Sequence, residues 1–354
     1  MPRQVSTLYC SLYFHDDSNV TFHDSISSSE LCSHPEIDLI LIASADEYHA
    51  RHAIQAADNG KHVFIEKPMT LTRQEAQNVE EARKRNNVHI SIGYMRRYTP
   101  VWSCFLEELS KAGSIDFARV FDYSGPNSIF ISQSSTLPKV FNSDIPKEAM
   151  EERRVLFNQI ATLALGDEKA KDSRLVKVFR LLGSLGSHDI SCMRHAFGGV
   201  PKQCLSAFAS PSGDFIAASF LYDQTEGPPF QVSYETGIHT VGTFDAYIEV
   251  YCIGKILRLD YDTPYVKGLP IKLTIRENTG KGGQGYQERV IRPTFEDAYS
   301  AEFIRLSKAI RQPSSVTQRQ STARIGWADS VEMCSPTDAM HDLDVFDMIM
   351  KHLV

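Results

Sequence analysis

Hydrophobic and polar positions change their rhythm once along this chain. In the first hundred residues the apolar positions fall into short continuous runs separated by helical stripes. Residues 37–43 are branched-aliphatic apart from Asp38 and the closing Ala43, as in a parallel strand buried on both faces. Ser44-Ala45-Asp46-Glu47 reads as a cap for a helix over 48–59, where Ala50, Ala53, Ile54 and Ala57 share a stripe and Gly60 supplies the stop. His62-Val63-Phe64-Ile65 predicts the next strand, Thr72 opens a helix carrying Ala76, Val79 and Ala82 on one side, and His89-Ile90-Ser91-Ile92-Gly93 predicts a third strand. Strands alternating with helices in this way predict repeated βαβ units and a parallel sheet.

A helix over 100–111 closes this part, and Ser27-Ser28-Ser29-Glu30 predicts a short capped helix before it. Residues 3–18 follow no clear period, and a short helix entering Asn19-Val20-Thr21-Phe22 is the best expectation. From Ile115 the texture becomes alternating. Strands are predicted at 118–123, 203–208, 215–222, 230–234, 246–253, 255–261 and 271–275, with a tight hairpin at Cys252-Ile253-Gly254-Lys255. Helices are expected at 147–165, 189–197, 295–310, 319–330 and 337–353. The fold class is therefore α/β plus α+β: a Rossmann-like parallel sheet over 1–114, then an open-faced, largely antiparallel sheet with C-terminal helices over 115–354.

Composition narrows the function without naming it. The 354 residues are 42% hydrophobic and carry a net charge of −7, which argues against a nucleic-acid partner, since phosphate backbones require a basic face. No apolar run approaches the ~18 residues that span a bilayer. Seven scattered cysteines without a C-x-x-C pair read as reduced thiols rather than a metal site, and a cytoplasmic protein is expected. The 280–285 stretch, Gly-Lys-Gly-Gly-Gln-Gly, lacks the Lys-Ser/Thr ending of a phosphate-binding loop and reads as a hairpin tip. Asn19-Val20-Thr21 reads as a chance match to a glycosylation acceptor.

Three clusters could carry chemistry. Glu66-Lys67-Pro68 follows a parallel strand and so lies at the carboxyl edge of the sheet, where open α/β sheets bind ligands. Pro68 keeps Lys67 out of helical geometry, and a lysine held there can donate a proton or orient a hydroxyl. Gly93-Tyr94-Met95-Arg96-Arg97-Tyr98 offers adjacent guanidinium groups suited to a carboxylate or phosphate. In Gly183-Ser184-Leu185-Gly186-Ser187-His188-Asp189, the imidazole of His188 is expected in the first turn of a helix, where the dipole favours the neutral base.

Together, residues 37–44, 60–68, 93–98 and 186–190, with Asp297-Ala298-Tyr299-Ser300-Ala301-Glu302-Phe303, resemble the Gfo/Idh/MocA family of NAD(P)-dependent oxidoreductases of sugars and cyclitols. The resemblance implies Lys67 and His188 as catalytic residues. Tyr94, Arg97, Tyr123, Asn127, Ser184 and Asp189 are the expected substrate contacts. The chain departs from the family pattern in two places. Position 184 is serine where the family carries an acid, and no glycine precedes Gly60, although the family opens on a strand and a G-x-G-x-x-G turn. Because those glycines let the backbone reach a pyrophosphate, their absence leads to the expectation of a Rossmann domain without its first strand and turn. No cofactor is then expected, and the reaction would be a non-redox isomerisation, elimination or pericyclic cyclisation in specialised metabolism. The alternative is an NAD(P)-dependent oxidoreductase, with Ser44, Glu66, Lys67 and Pro68 meeting the cofactor. A non-catalytic partner subunit is the third reading. A small-molecule substrate and a homo-oligomer formed through the open sheet face are expected in either enzyme case, with no metal.

Overall fold

A computed structural model describes residues 27–134, 145–263, 266, 269, 271–279, 285–311 and 334–353. The expected helices entering residues 19–22 and at 319–330, and the tip at 280–284, lie outside the described residues. The chain starts with a short helix α1 (Ser28–Ser33), capped as anticipated by the Ser27 hydroxyl, which accepts the Glu30 N–H. A parallel sheet follows, β1 (Leu39–Ile42), β2 (His62–Glu66) and β3 (Ile90–Gly93), in the order β1-β2-β3. Between them run α2 (His49–Asp58), entered through a 3-10 turn at Asp46–Tyr48, and α3 (Arg73–Asn86). Thr72 caps α3 by accepting the Glu75 N–H, and the left-handed Asn87 ends it.

Register decides which face is buried. Ile40 aligns with Val63 and Ile42 with Ile65, which in turn align with Ile90 and Ile92, so these six form one apolar face, packed into the main core with the alanines of α2 and α3. The opposite face carries Leu41, Phe64, Ser91 and Gly93. The expectation that the 37–43 run is buried on both sides is corrected here, because Leu41 is 48% exposed. Among the described residues this face is covered at Phe64 by Phe303, with ring centroids 5.4 Å apart, and not at Leu41.

After α4 (Pro100–Ser110), which begins on a proline, the chain enters an eight-stranded sheet. Its strands are β4 (Ile115–Ser124), β5 (Gln203–Ala209), β6 (Phe215–Tyr222), β7 (Phe230–Ile238), β8 (Phe244–Cys252), β9 (Lys255–Tyr261), β10 (Lys272–Asn278) and β11 (Tyr286–Ile291). The spatial order is β11-β10-β9-β8-β4-β7-β6-β5, antiparallel throughout except for the parallel pair β4–β7. The β8–β9 hairpin turns where expected, with Cys252 opposite Lys255 and Gly254 at φ 72°. Strand β11 was not anticipated, since Tyr286–Ile291 is exposed nearly throughout and has no apolar stripe.

Helices α5 (Asn127–Gln133), α6 (Lys147–Ala170), α7 (Ser173–Leu181), α8 (Ser187–Phe197), α9 (Ala298–Arg311) and α10 (Pro336–His352) complete the fold. Helices α5 and α7 were missed by the sequence reading, the second because Asp172 caps it only three residues after Lys169, within what reads as one polar stretch. Helix α10 touches α3 and β3 of the parallel sheet as well as α8 and β5 of the larger one. On the larger sheet, Ala118, Val120 and Asp122 of β4 face inward, towards α8. Phe117, Arg119, Phe121 and Tyr123 face the other way, where Phe121 stacks on Tyr247 at 5.1 Å and Arg258 lies over the Tyr247 ring at 3.7 Å.

Candidate active site

The carboxyl ends of β2 and β3 point towards the start of α8, and this convergence builds the site. Lys67 leaves β2 directly before Pro68, through a cis peptide bond. Its ammonium group donates to the carbonyl oxygen of Ser184, 117 residues further on. Burial pulls the Lys67 pKa below the usual lysine range; Glu66 and Asp46 oppose the shift, Arg96 adds to it and Asp122 opposes it. Glu66, beside it, accepts the Lys67 backbone N–H at 3.3 Å, and burial raises its carboxyl despite that contact. Gly93 makes room for this carboxylate: a Cβ there would stand 3.1 Å from the Phe64 ring and 3.2 Å from a Glu66 oxygen.

His188 lies inside a continuous helical path. Helix α7 runs through a π-helical turn at Leu182–Gly186 straight into α8, and Gly186 keeps right-handed helical dihedrals. No free helix N-terminus therefore faces His188, which corrects the expectation that a dipole sets its state. Its pKa is instead driven well below 6.5 by burial, and then by the charges of Lys67 and Arg96. The imidazole is neutral, and its buried Nδ1 has no partner among the described residues. The π turn also requires Gly186, because a Cβ there would sit 2.6 Å from the Tyr234 hydroxyl.

The expected substrate contacts divide into groups. Ser184 is exposed on the π turn and offers Lys67 its carbonyl oxygen. Asp189 is buried next to His188 and pairs with Arg96. Tyr94 and Arg97 turn into a second network: the Tyr94 hydroxyl donates to Asp342, Arg97 donates to Asp338 at 2.5 Å, and Arg194 reaches both acids at 2.7 and 3.1 Å. That network staples α10 to the turn after β3. Tyr123 is on the far face of the large sheet, with its ring 5.2 Å from Phe215, and Asn127 is exposed at the first position of α5. The structure thus brings together Lys67, His188, Ser184 and Asp189, and places Tyr94, Arg97, Tyr123 and Asn127 elsewhere.

Two residues at the site, His49 and Asp122, escaped the sequence reading, and Arg96, one of its two adjacent guanidinium groups, lies here as the partner of Asp122. His49 of α2 sets one ring nitrogen 2.8 Å from the Pro68 carbonyl oxygen and the other 3.0 Å from that of Ser44, so it ties the ends of β1 and β2 together. Arg96 and Asp122 pair at 2.7 Å beneath Lys67, both buried. The signal for Asp122 was an acid at an inward position of an alternating strand, which a buried basic partner has to explain.

Residues 10–94 match a family model described as an oxidoreductase family with an NAD-binding Rossmann fold, GFO_IDH_MocA. The chain is 36% identical over 74 residues to scyllo-inositol 2-dehydrogenase (NAD(+)) of Bacillus subtilis, which covers 21% of this chain and 22% of that protein. It is also 36% identical over 78 residues to inositol 2-dehydrogenase of Salmonella paratyphi B, covering 22% and 21%. These matches thus span about a fifth of each relative's length. An NAD-binding oxidoreductase from Klebsiella pneumoniae superimposes with a TM-score of 0.62 at 16% identity, covering 92% of this chain and 81% of that one, which shows the shared two-sheet fold.

Two expectations fall with these findings. A cofactor-free isomerase or cyclase and the absence of any cofactor are both overturned, because the matching family is NAD-binding and the relatives are named as dehydrogenases. A glycine-rich turn contacts pyrophosphate and leaves the reactive end of a dinucleotide to other residues. Ser44 and Pro68 are tied together by His49, and Lys67 and His188 beside them, the latter with no partner for its Nδ1 among the described residues, supply one ammonium donor and one neutral base. This donor set fits the nicotinamide end of such a cofactor. A glycine-rich phosphate turn is not found among the described residues.

Proposed function

We propose that this chain, whose residues 10–94 match the Gfo/Idh/MocA oxidoreductase family model, is an NAD(P)-dependent oxidoreductase of a sugar, cyclitol or related alcohol. One observation carries the reading: the Lys67 ammonium and the neutral His188 imidazole converge at the carboxyl edge of the parallel sheet. Ser44, Glu66, Lys67 and Pro68 would hold the nicotinamide end. When bound, the cofactor supplies the hydride acceptor. The chain's own groups do the rest of the work on the substrate oxygen. A Lys67 N–H orients that oxygen and stabilises charge on it, while His188, uncharged at neutral pH, is free to accept a proton. Lys67 is held on the Ser184 carbonyl in the meantime, so its position is set before any ligand arrives.

Isothermal titration with NAD(H) and NADP(H), followed by absorbance assays with a panel of polyols, tests the reading. Micromolar binding of one cofactor and its reduction by a polyol are the expected results. Failure of all four cofactor forms to bind would sink it.

We also propose that copies of this chain associate through the outer face of the eight-stranded sheet. That face carries aromatic and charged side chains, among them Phe121, Tyr251 and Arg258, and Tyr251 and Phe208 on it are exposed.

A further inference from the structure

Below Lys67 lies a buried cluster that the oxidoreductase reading does not use. Arg96 stands between two carboxyl groups, donating to one oxygen of Asp122 at 2.7 Å and to one oxygen of Asp189. The three come from separate elements: the turn after β3, the inner face of β4 and the start of α8. Asp122 and Asp189 are 0% and 1% exposed, and Arg96 is 4% exposed. Each carboxyl keeps its second oxygen buried and without a hydrogen-bond donor among the described residues, namely Asp122 Oδ1 and Asp189 Oδ2. The neighbouring Tyr234 and Tyr261 hydroxyls are likewise buried, and neither is within hydrogen-bond reach of these two oxygens or of any other partner among the described residues.

We propose that Asp122 and Asp189 share a single proton, so that the pair carries one negative charge, balances Arg96, and sets the charge state of Lys67 above it. Two facts drive the argument. Arg96 is the one cation hydrogen-bonded to either acid among the described residues, so two ionised carboxylates would set like charges side by side in a buried site with a single guanidinium between them, which is disfavoured. A proton between the acids removes one of those charges and turns one of the two unpartnered oxygens into a donor for the other. Burial and the nearness of Asp122 both raise the Asp189 carboxyl, against the pull of Arg96. The groups facing the pair are Arg96 from the turn after β3, Cys192 from α8, Tyr234 from β7, Tyr261 from β9 and Lys67 from the end of β2. His188 meets the same cluster through Arg96. Asp122 and Asp189 are positioning residues: they act on the site through Arg96 and through the field at Lys67.

The test requires no cofactor, so its outcome is separate from that of the redox reading. Urea unfolding between pH 5 and 7 counts the proton, with wild type compared against Asp122→Asn and Asp189→Asn. Wild type should take up one more proton on folding than either variant. Its folding constant should then fall about tenfold per pH unit relative to theirs, since the unfolded carboxyls are ionised throughout this range. NMR of protein labelled at lysine Cε follows Lys67, assigned by the resonance lost in Lys67→Arg. Either single variant leaves one ionised carboxyl and should move the Lys67 pKa by less than about 0.3 units. The double variant removes the charge and should lower that pKa by about one unit or more, a tenfold change in its protonation constant. Equal pH slopes for wild type and single variants would overturn the proposal. So would single variants that each shift Lys67 by half the effect of the double. If the double variant fails to fold, the slopes of the two singles still decide.

Discussion

Lys67 is the residue on which the proposed chemistry turns, and its environment makes its contribution measurable. Replacing it by alanine removes the donor and should lower kcat/KM by about 10² or more, while cofactor affinity measured by titration changes far less. The pH profile has a stated sign. Burial lowers the Lys67 pKa from 10.5, so activity that needs the ammonium should decline at a pH below that value as pH rises. His188 is shifted the other way relative to neutrality. Burial beside Lys67 and Arg96 lowers it well below 6.5, so its neutral form persists on the acid side of that value and it contributes no acid limb above 6.5. A kcat/KM profile with an acid limb that is abolished only in His188→Asn, and centred above pH 6.5, would contradict this assignment. Lys67 and His188 were legible in the sequence because each lies in a local motif. Their shared charge environment was not, since Arg96 is 26 residues from Asp122 and 93 from Asp189.

At the level of elements, the junction between α7 and α8 and the clasp by α10 hold the site in place. The π turn at Leu182–Gly186 passes the Tyr234 hydroxyl so closely that Gly186→Ala should cost about 1–3 kcal/mol in urea unfolding, because a buried tyrosine has little room to yield. The α10 clasp responds to acid. Burial works against the Asp338 charge, but Arg97 and Arg194 outweigh it and hold the carboxyl at about 2, below its ordinary 3.8. The stability from this pairing is therefore present above about pH 4 and lost as pH falls through 2. Acid titration of the fold by circular dichroism checks it: Asp338→Asn should be less stable at neutral pH and should show a flatter dependence between pH 4 and 2. The periodicity foretold α8 and α10 but missed their use as clamps. Tyr94 and Arg97, polar groups after a strand, read as ligand contacts, and Asp338 and Asp342 claim them from more than 240 residues away.

For the whole molecule, two sheets meet the solvent differently. The parallel sheet leaves Leu41 exposed on β1, and the large sheet turns an aromatic and charged face outward. If that outer face joins copies of the chain, introducing charge there should reduce the mass in solution. Phe208, 62% exposed on β5, and Tyr251 on β8 are suitable positions because neither packs into the core. Phe208→Glu with Tyr251→Glu should lower the mass measured by light scattering while leaving the circular dichroism spectrum unchanged. An unaltered mass would place any association elsewhere. Among the described residues, no helix is long and apolar enough to cross a membrane.

The sequence by itself determined the parallel βαβ start, the switch to an antiparallel sheet, the β8–β9 hairpin and the lysine at the sheet edge. These follow from periods of two and 3.6 residues and from local turn chemistry, which a short window contains. Only the tertiary structure decided that Tyr123 faces away from the site while its neighbour Asp122 faces towards it. Adjacent positions of a strand point to opposite faces, and the face that becomes the interior depends on which helix packs there. It likewise decided that His188 is neutral through burial and nearby charge instead of a helix dipole, because whether α8 begins freely or continues from α7 is settled by the turn at Gly186 against β7.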